Sequence, residues 1–319
     1  METNRSIALF SLFGVTLLWG GTFIWMQQSL DAASSLIPSL SENHVAIFFV
    51  MMRFVIAGIF LLLLVPRTWL GLTNIEAWKG GLLLGVIVWG GFILQMLGLT
   101  EVTPAVSAFL TSLYVIFTAL IGVFTGIQKL TRLAIIGVIL ATFGAGWISG
   151  PPQLHFGLGE WLTVGCAFLF GAHIIATDKV TKIVDPIQVT ATMLITVATL
   201  SIIVFLLSST QNINDFTILM RDFDFVFPLM LCAILGSLVA LLVLNIFQKQ
   251  VSPVRAAILY ALEPVWAMSA SLLLGLEGNV TFWLPIGAIA LLVGNLIVEL
   301  DQSPSESNKF ENDNILPQT

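Results

Sequence analysis

The sequence predicts an all-α membrane protein with ten transmembrane helices, arranged as two inverted five-helix repeats. Of its 319 residues, 57% are hydrophobic and 9% are charged, whereas a soluble domain carries about 25% charged residues. Ten apolar runs are long enough to cross a bilayer. The same short motifs also recur at an offset of 149 to 151 residues. Together these observations exclude a string of soluble domains and predict a helical bundle in lipid.

The ten apolar runs are separated by polar residues, glycine or proline. We place them at Ile7–Gln27, His44–Val65, Gly80–Gly98, Pro104–Phe124, Arg132–Ile148, Glu160–Val180, Pro186–Leu207, Phe225–Gln248, Pro253–Gly275 and Trp283–Leu300. The first run is too long for the apolar core of a typical signal peptide, so we interpret it as a span. Residues 301–319 are polar and are predicted to form a disordered cytoplasmic tail.

Positive charge indicates the orientation of the chain. One side of the predicted bundle holds Arg5, Arg67, Lys79, Lys129, Arg132, Lys179, Lys182, Lys249 and Lys309, and the other holds only Arg221. Because cytoplasmic loops carry an excess of Lys and Arg, we expect both termini in the cytoplasm of a multi-pass protein of the cell inner membrane. The net charge of −6 comes without a basic tract, which argues against nucleic acid as a partner. The lipid bilayer and a small-molecule solute are the expected partners, and the oligomeric state stays open, a homodimer being one option.

Residues 1–150 and 151–300 are predicted to be the two repeats. The matched motifs are Val102–Pro104 with Val251–Pro253, Leu18–Gly20 with Leu169–Gly171, and Gly137 and Gly144 with Gly287 and Gly294. Each repeat holds five spans, an odd number, so the second repeat must enter the membrane in the opposite sense. Inverted repeats of this kind are typical of secondary transporters.

The same motifs resemble the EamA branch of the drug/metabolite transporter superfamily over residues 7–300. They are the LLWGGTF stretch of the first span, Arg53-Phe54 in the second, and the Thr-Pro and Ser-Pro starts of the fourth and ninth. The resemblance implies a carrier of small metabolites, often amino acids and often exported, with a cavity lined by the first four helices of each repeat. Many members have a proline where this chain has Val115, whereas its mate Pro264 is present. The resemblance therefore does not imply that the fourth helix flexes at this position.

Glu263 is the acidic residue that the span assignment places deep inside the membrane. Its span begins at Ser252-Pro253, a helix start signal, and Pro264 follows the acid directly. A charge at this depth costs at least a few kcal/mol, so such residues normally face a bundle interior or a wet cavity. Glu263 can therefore pair with an ammonium group of a solute or take up a proton. The alternative is that it only holds a neighbouring helix by hydrogen bonds.

Two further ionisable side chains are expected inside the spans. Arg53, near mid-depth of the second span, can hold a carboxylate or phosphate with its planar fork. It can equally form an ion pair with Glu263, or bond to backbone carbonyls, and so fix helix packing. His173 in the sixth span suits proton relay, or it is a neutral histidine bonded to another helix.

Amides and aromatic rings complete the candidate cavity. Gln95 and Asn245 are repeat mates that either line the path or bond between helices. The rings of Trp19, Tyr114, Tyr260 and Trp266 are candidate walls, although aromatic residues within spans also pack in cores or face lipid.

These features favour a secondary transporter. The sequence lacks GxxxxGK[ST], so no ATP-driven step is predicted. It also lacks HExxH, and Cys166 and Cys232 lie in apolar runs, so no cofactor, metal site or catalytic residue is predicted. The alternative is a membrane scaffold or enzyme that reuses the fold. Its loops would then have to carry chemistry or bind partners, and the loops here are mostly short.

Overall fold

The computed structural model describes residues 2–126, 131–147, 156–208, 213–250, 259–260, 262–276 and 281–312. All regular secondary structure in these ranges is helical. The α-helices are α1 Glu2–Leu36, α2 Glu42–Leu64, α3 Trp69–Leu72, α4 Ile75–Leu99, α5 Pro104–Thr111, α6 Tyr114–Phe124, α7 Arg132–Trp147, α8 Leu158–Thr181, α9 Pro186–Ser208, α10 Ile213–Leu219, α11 Phe223–Leu231, α12 Ala240–Phe247, α13 Glu263–Leu273 and α14 Trp283–Asn312. A π-helix, Cys232–Val239, joins α11 to α12, and 3₁₀ turns lie at Pro66–Thr68 and Gln248–Gln250.

Seven stretches of the described residues are long and apolar enough to cross a membrane. They correspond to the first four predicted spans and to the sixth, seventh and eighth, which confirms an all-α membrane protein. The fifth and tenth predicted spans contain shorter apolar helices, Ile135–Gly144 and Trp283–Ile297. The start of the ninth, with Ser252-Pro253, lies outside the described residues.

The last helix continues beyond the predicted tenth span. The backbone of α14 continues to Asn312, into the tail for which the sequence predicts disorder. A helix that is already nucleated in a span gains one hydrogen bond for each residue that it adds. Polar composition alone therefore does not stop it at Leu300.

The fourth span is interrupted at its middle even though no proline lies there. Between α5 and α6, the N–H of Leu113 donates to the carbonyl of Leu110 at 3.1 Å, a bond three residues back instead of four. The Ser112 hydroxyl donates to the carbonyl of Phe109 at 2.7 Å. Such a bond competes with the regular helix ladder, so a serine supplies here the irregularity for which no proline is present.

The start of α13 repeats this geometry 149 residues later. The N–H of Leu262 donates to the carbonyl of Leu259 at 3.0 Å, and α13 begins at Glu263, just as α6 begins at Tyr114. Pro264 occupies the position of Val115, whose N–H donates to the carbonyl of Ser112 at 3.1 Å. Proline has no N–H to donate, so both spans start a new helix at matched positions by different local chemistry.

The helices α7 and α14 pack closely through small residues. A Cβ at Gly144 would lie 2.6 Å from the carbonyl oxygen of Gly287, and one at Gly294 would lie 2.6 Å from that of Gly137. Only glycine allows the two backbones to approach this closely. The close packing of α7 on α14 therefore depends on these glycines.

Candidate functional site

A cavity of about 40 Å³ lies in the middle of the bundle, between α1, α4, α6, α8, α12 and the start of α13. Six of the nine predicted site residues line it: Glu263, Tyr260, Tyr114, Trp19, His173 and Gln95. A water molecule needs about 10–15 Å³ on this measure, so the cavity has room for about three waters. A metabolite would need the surrounding helices to move apart.

Glu263 is the acid of this cavity. It is 5% exposed and is the first residue of α13. The hydroxyl of Tyr114, its mate in the other half of the chain, donates to Oε2 of Glu263 over 3.4 Å. Pro264 has no N–H, and the N–H groups of Val265 and Trp266 both donate to the carbonyl of Leu262, at 3.0 and 3.2 Å. The helix that starts at Glu263 therefore places a carboxylate deep in the bundle, with the Tyr114 hydroxyl as a hydrogen-bond donor to it.

Three aromatic rings form one wall of the cavity. The Tyr260 ring lies 5.8 Å from that of Trp19 and 6.5 Å from that of Tyr114, measured between ring centroids. The Tyr260 hydroxyl donates to Oε1 of Gln248 over 3.4 Å, and the Trp19 indole donates to the carbonyl of Gly236 at 3.1 Å. With the bond from Tyr114 to Glu263, hydrogen bonds thus hold the polar ends of all three rings at the cavity wall.

Two glycines bring the helix starts into contact with neighbouring helices. A Cβ at Gly20 would lie 3.0 Å from the carbonyl oxygen of Glu263, and one at Gly171 would lie 2.9 Å from that of Tyr114. Gly20 and Gly171 are themselves repeat mates, at an offset of 151. Close packing therefore explains Gly20, and α1 is continuous through it.

His173 and Gln95 reach the cavity as polar groups. The ring Nε2 of His173 lies 3.3 Å from the hydroxyl of Thr177, one turn further along α8. Gln95 is 3% exposed, and its Oε1 is buried without a hydrogen-bond partner. The amide oxygen of Gln95 can therefore accept a hydrogen bond from a bound molecule.

Three predicted site residues lie outside the cavity wall. Asn245 donates through Nδ2 to the hydroxyl of Thr190 at 2.7 Å, which joins α12 to α9. The indole of Trp266 donates to Thr16 on α1 at 3.3 Å. Arg53 is completely buried behind the wall, where Nε donates to the Ser237 hydroxyl at 2.6 Å. Of the ion pairs in the described residues, none contains Arg53 or Glu263.

Seven lining residues were missed by the sequence reasoning: Thr22, Val88, Phe92, Phe170, Ile174, Leu241 and Leu244. Two of them could have been found from the repeat. Thr22 is the mate of His173 and Phe170 is the mate of Trp19, each at an offset of 151. The aliphatic residues carry no signal that separates a cavity wall from an ordinary core.

The two ends of the bundle differ. A second cavity of about 300 Å³ is lined mostly by polar residues of α1 and α2, among them Gln27, Asp31 and Glu42, and by Thr100 just after α4. At the opposite end of the bundle, polar contacts join the segment between α2 and α4 to the start of α9. Arg67 contacts Asp185 at 2.6 Å, and Asn74 contacts Gln188 at 2.9 Å.

This arrangement suits reversible binding of a small polar molecule. One buried carboxylate, one imidazole, two phenols and one free amide oxygen surround a space with apolar walls, as in many small-molecule sites. Among the described residues, no group of three or more His, Cys, Asp or Glu side chains could hold a metal ion.

Comparison with known proteins agrees with the resemblance carried by the motifs. The sequence model of the EamA-like transporter family matches residues 6–150 and again 157–300. An uncharacterized transporter from Archaeoglobus fulgidus is 26% identical over 301 residues, which cover 93% of this chain and 87% of that protein. A solved crystal structure superposes with a TM-score of 0.61 at 17% identity, covering 93% of this chain and 98% of the other. At that identity the likeness shows the fold alone.

Proposed function

The chain belongs to the EamA-like transporter family, and from this premise we propose that it is a secondary carrier that exports a small polar metabolite by alternating access. That it is a membrane transporter and not an enzyme follows from the family and from the transporter relative. An amino acid or a related solute is the proposed cargo. The proposed location is the cell inner membrane, with both termini in the cytoplasm.

The observation that carries the proposal is Glu263 at the first turn of a half-helix, in contact with the central cavity. In secondary transporters, discontinuous helices place their ends at the substrate and coupling-ion sites near the middle of the membrane. Acids at this depth normally serve such a site, because burial in the bilayer is costly. Glu263 is therefore proposed to bind the cationic group of the solute or to carry a coupled proton.

Contacts between repeat mates support ten spans arranged as two inverted halves. Gly20 approaches Glu263 and Ala267 as Gly171 approaches Tyr114 and Thr118. All three residues of each set are related by offsets of 149 or 151. A two-fold axis between the halves would produce such reciprocal contacts. Halves related in this way can exchange conformations, which would open the central site first to one side and then to the other.

The two ends of the bundle support an outward-facing conformation. The wider polar cavity contains Asp31 and Glu42, on the side with little positive charge, which the proposed orientation makes the outside. The Arg67–Asp185 ion pair lies on the proposed cytoplasmic side. Gln27 of the outer cavity and Thr22 of the central one share α1, so a short route would connect the two.

The test is flux in vesicles reconstituted with the purified protein. A thermal-shift screen of amino acids, nucleosides, polyamines and sugar phosphates would first select the solute, since ligands that bind the folded state raise its melting temperature. Glu263→Gln is expected to lower uptake of that solute by about 10- to 100-fold, the value of one charged hydrogen bond. Glu101→Gln, at an exposed acid beyond α4, is the control and should stay within about twofold of the wild type. Unchanged flux in Glu263→Gln would remove Glu263 from the mechanism.

A further inference from the structure

Arg53 is a buried cation whose hydrogen bonds are incomplete. Its side chain is 0% exposed. Nε donates to the Ser237 hydroxyl at 2.6 Å, and Nη1 lies 3.5 Å from the sulfur of Met26, a weak acceptor. Nη2 is buried and has no hydrogen-bond partner. The Nη2 edge of the guanidinium is therefore neither neutralised by a counter-charge nor fully hydrogen-bonded.

The backbone next to Nη2 is irregular and unusually close. Residues 232–239 form a π-helix within the eighth span, and π-helical segments occur frequently at functional sites. A Cβ at Gly236 would lie 3.2 Å from Nη2 and against the methyl group of Thr22. Glycine at this position lets Thr22, which lines the central cavity, pack directly against the backbone beside Nη2.

Aromatic contacts compensate only part of the buried charge. The guanidinium carbon lies 4.4 Å from the centroid of the Phe92 ring and 5.6 Å from that of Phe54. Cation–π contacts of this kind offset less free energy than it costs to remove one charge from water. Phe92 also lines the cavity. A single ring therefore separates the charge from the space where a solute would bind.

We propose that Arg53 is an anion-binding arm of the cavity, which takes an anionic group on Nη2 when Thr22 and Gly236 move apart. This inference rests on the proposed carrier function and narrows its substrate class to solutes that bear a carboxylate. Arg53 on α2 and Glu263 on α13 make no ion pair with each other. Each is thus free to bind one end of a zwitterion, the carboxylate at Arg53 and the ammonium group at Glu263.

Trp19 links the two proposed ends. Its indole N–H donates to the carbonyl of Gly236, beside Arg53, and its ring lies 5.8 Å from that of Tyr260 on the side of Glu263. A zwitterion between the two charges would thus lie along an apolar wall, which suits a hydrophobic side chain. A free halide is also an anion that can accept a hydrogen bond from Nη2. The experiment must therefore distinguish a halide from the carboxylate of a solute.

The experiment compares three probes of one shape on the full-length protein: L-phenylalanine, phenethylamine and 3-phenylpropionate. Affinity is read from thermal shifts and from inhibition of vesicle uptake, in chloride and in gluconate buffers. In the wild type we expect phenylalanine to bind most tightly. Arg53→Met should weaken phenylalanine and 3-phenylpropionate by about 10- to 100-fold and change phenethylamine by less than about threefold. Glu263→Gln should weaken phenylalanine and phenethylamine and change 3-phenylpropionate by less than about threefold.

Matched variants guard against misfolding. Arg221→Met removes an exposed arginine away from the cavity and should leave all three affinities unchanged. If Arg53→Met does not fold, Gly236→Ala places a methyl group between Thr22 and Nη2 while the charge is kept, and it should weaken the two carboxylates selectively. A chloride-dependent rise of melting temperature that Arg53→Met abolishes, without any effect of 3-phenylpropionate, would identify the anion as a free halide.

The outcomes separate this inference from the function on which it rests. Solute flux that persists with unaltered carboxylate affinity in Arg53→Met and Gly236→Ala would overturn the anion site and leave the carrier standing. Binding of neither phenylalanine, 3-phenylpropionate nor chloride to the wild type would also overturn the anion site. Absence of flux for every solute class in the wild type would instead overturn the proposed transport.

Discussion

Replacing Gly20 by alanine tests the closest contact at the candidate site. The added Cβ would lie 2.6 Å from Cβ of Trp266, 3.0 Å from the carbonyl oxygen of Glu263 and 3.1 Å from the N–H nitrogen of Ala267. These atoms move only with the backbone of α13. Ordinary contact begins at 3.4 Å, so α1 and α13 must separate by about 0.8 Å, the difference between 3.4 and 2.6 Å.

The magnitude follows from two opposing effects. Overpacking a tight contact costs about 1–3 kcal/mol, whereas glycine-to-alanine in a helix gains up to about 1 kcal/mol. Gly14, on the same helix, has no atom within 4 Å of an added Cβ, so Gly14→Ala gains helix propensity without the clash. Gly20→Ala should therefore be about 1–3 kcal/mol less stable than Gly14→Ala.

Melting temperature in detergent and vesicle uptake together provide the assay. Gly14→Ala should melt at or above the wild-type temperature and transport normally. Gly20→Ala should melt lower and transport less, because the start of α13 carries Glu263. The mate variant Gly171→Ala should show a smaller effect of the same sign, since its Cβ would be 2.9 Å from its nearest neighbours. Equal stability and flux in Gly20→Ala and Gly14→Ala would refute the close approach of α1 to α13.

Two further predictions concern contacts away from the cavity. Nδ2 of Asn295 donates to both the carbonyl and the hydroxyl of Ser112 at 3.2 Å, so Asn295→Ala should destabilise the protein by about 1 kcal/mol. Thermal melts of Asn295→Ala, Ser112→Ala and the double variant check this, and strictly additive effects would argue against the bond to the hydroxyl. The Arg67–Asp185 pair has side chains 60% and 24% exposed, so a cycle of Arg67→Met and Asp185→Asn should give a coupling below about 1 kcal/mol. A coupling above about 2 kcal/mol would mean that this contact clamps the bundle end more strongly than a surface ion pair can.

The helices themselves could be predicted because their cause is local. An apolar run of about 20 residues satisfies its own backbone hydrogen bonds in lipid only as a helix. Hence seven of the ten predicted spans recur as long apolar helices. The isolated acid Glu263 also stood out from sequence, because charge inside an apolar run is costly wherever the run packs.

The rotation of each helix about its axis depends on its neighbours in the bundle, so the sequence alone did not determine it. In a membrane both lipid and core are apolar, so hydrophobic periodicity says little about which face a helix buries. Trp266 therefore looked like a wall residue but bonds to Thr16 on α1, while Thr22 and Phe170 were overlooked.

What the sequence by itself determined is the membrane-spanning helical architecture, the repeat of its motifs and the family to which the chain belongs. Only the tertiary structure decided that Tyr114 reaches Glu263 and that Arg53 lies behind Phe92 beside a π-helix. The reason is physical: these contacts join residues far apart in the chain, and they depend on how two apolar surfaces interlock. Composition determines that the surfaces meet in lipid, and side-chain shape determines how.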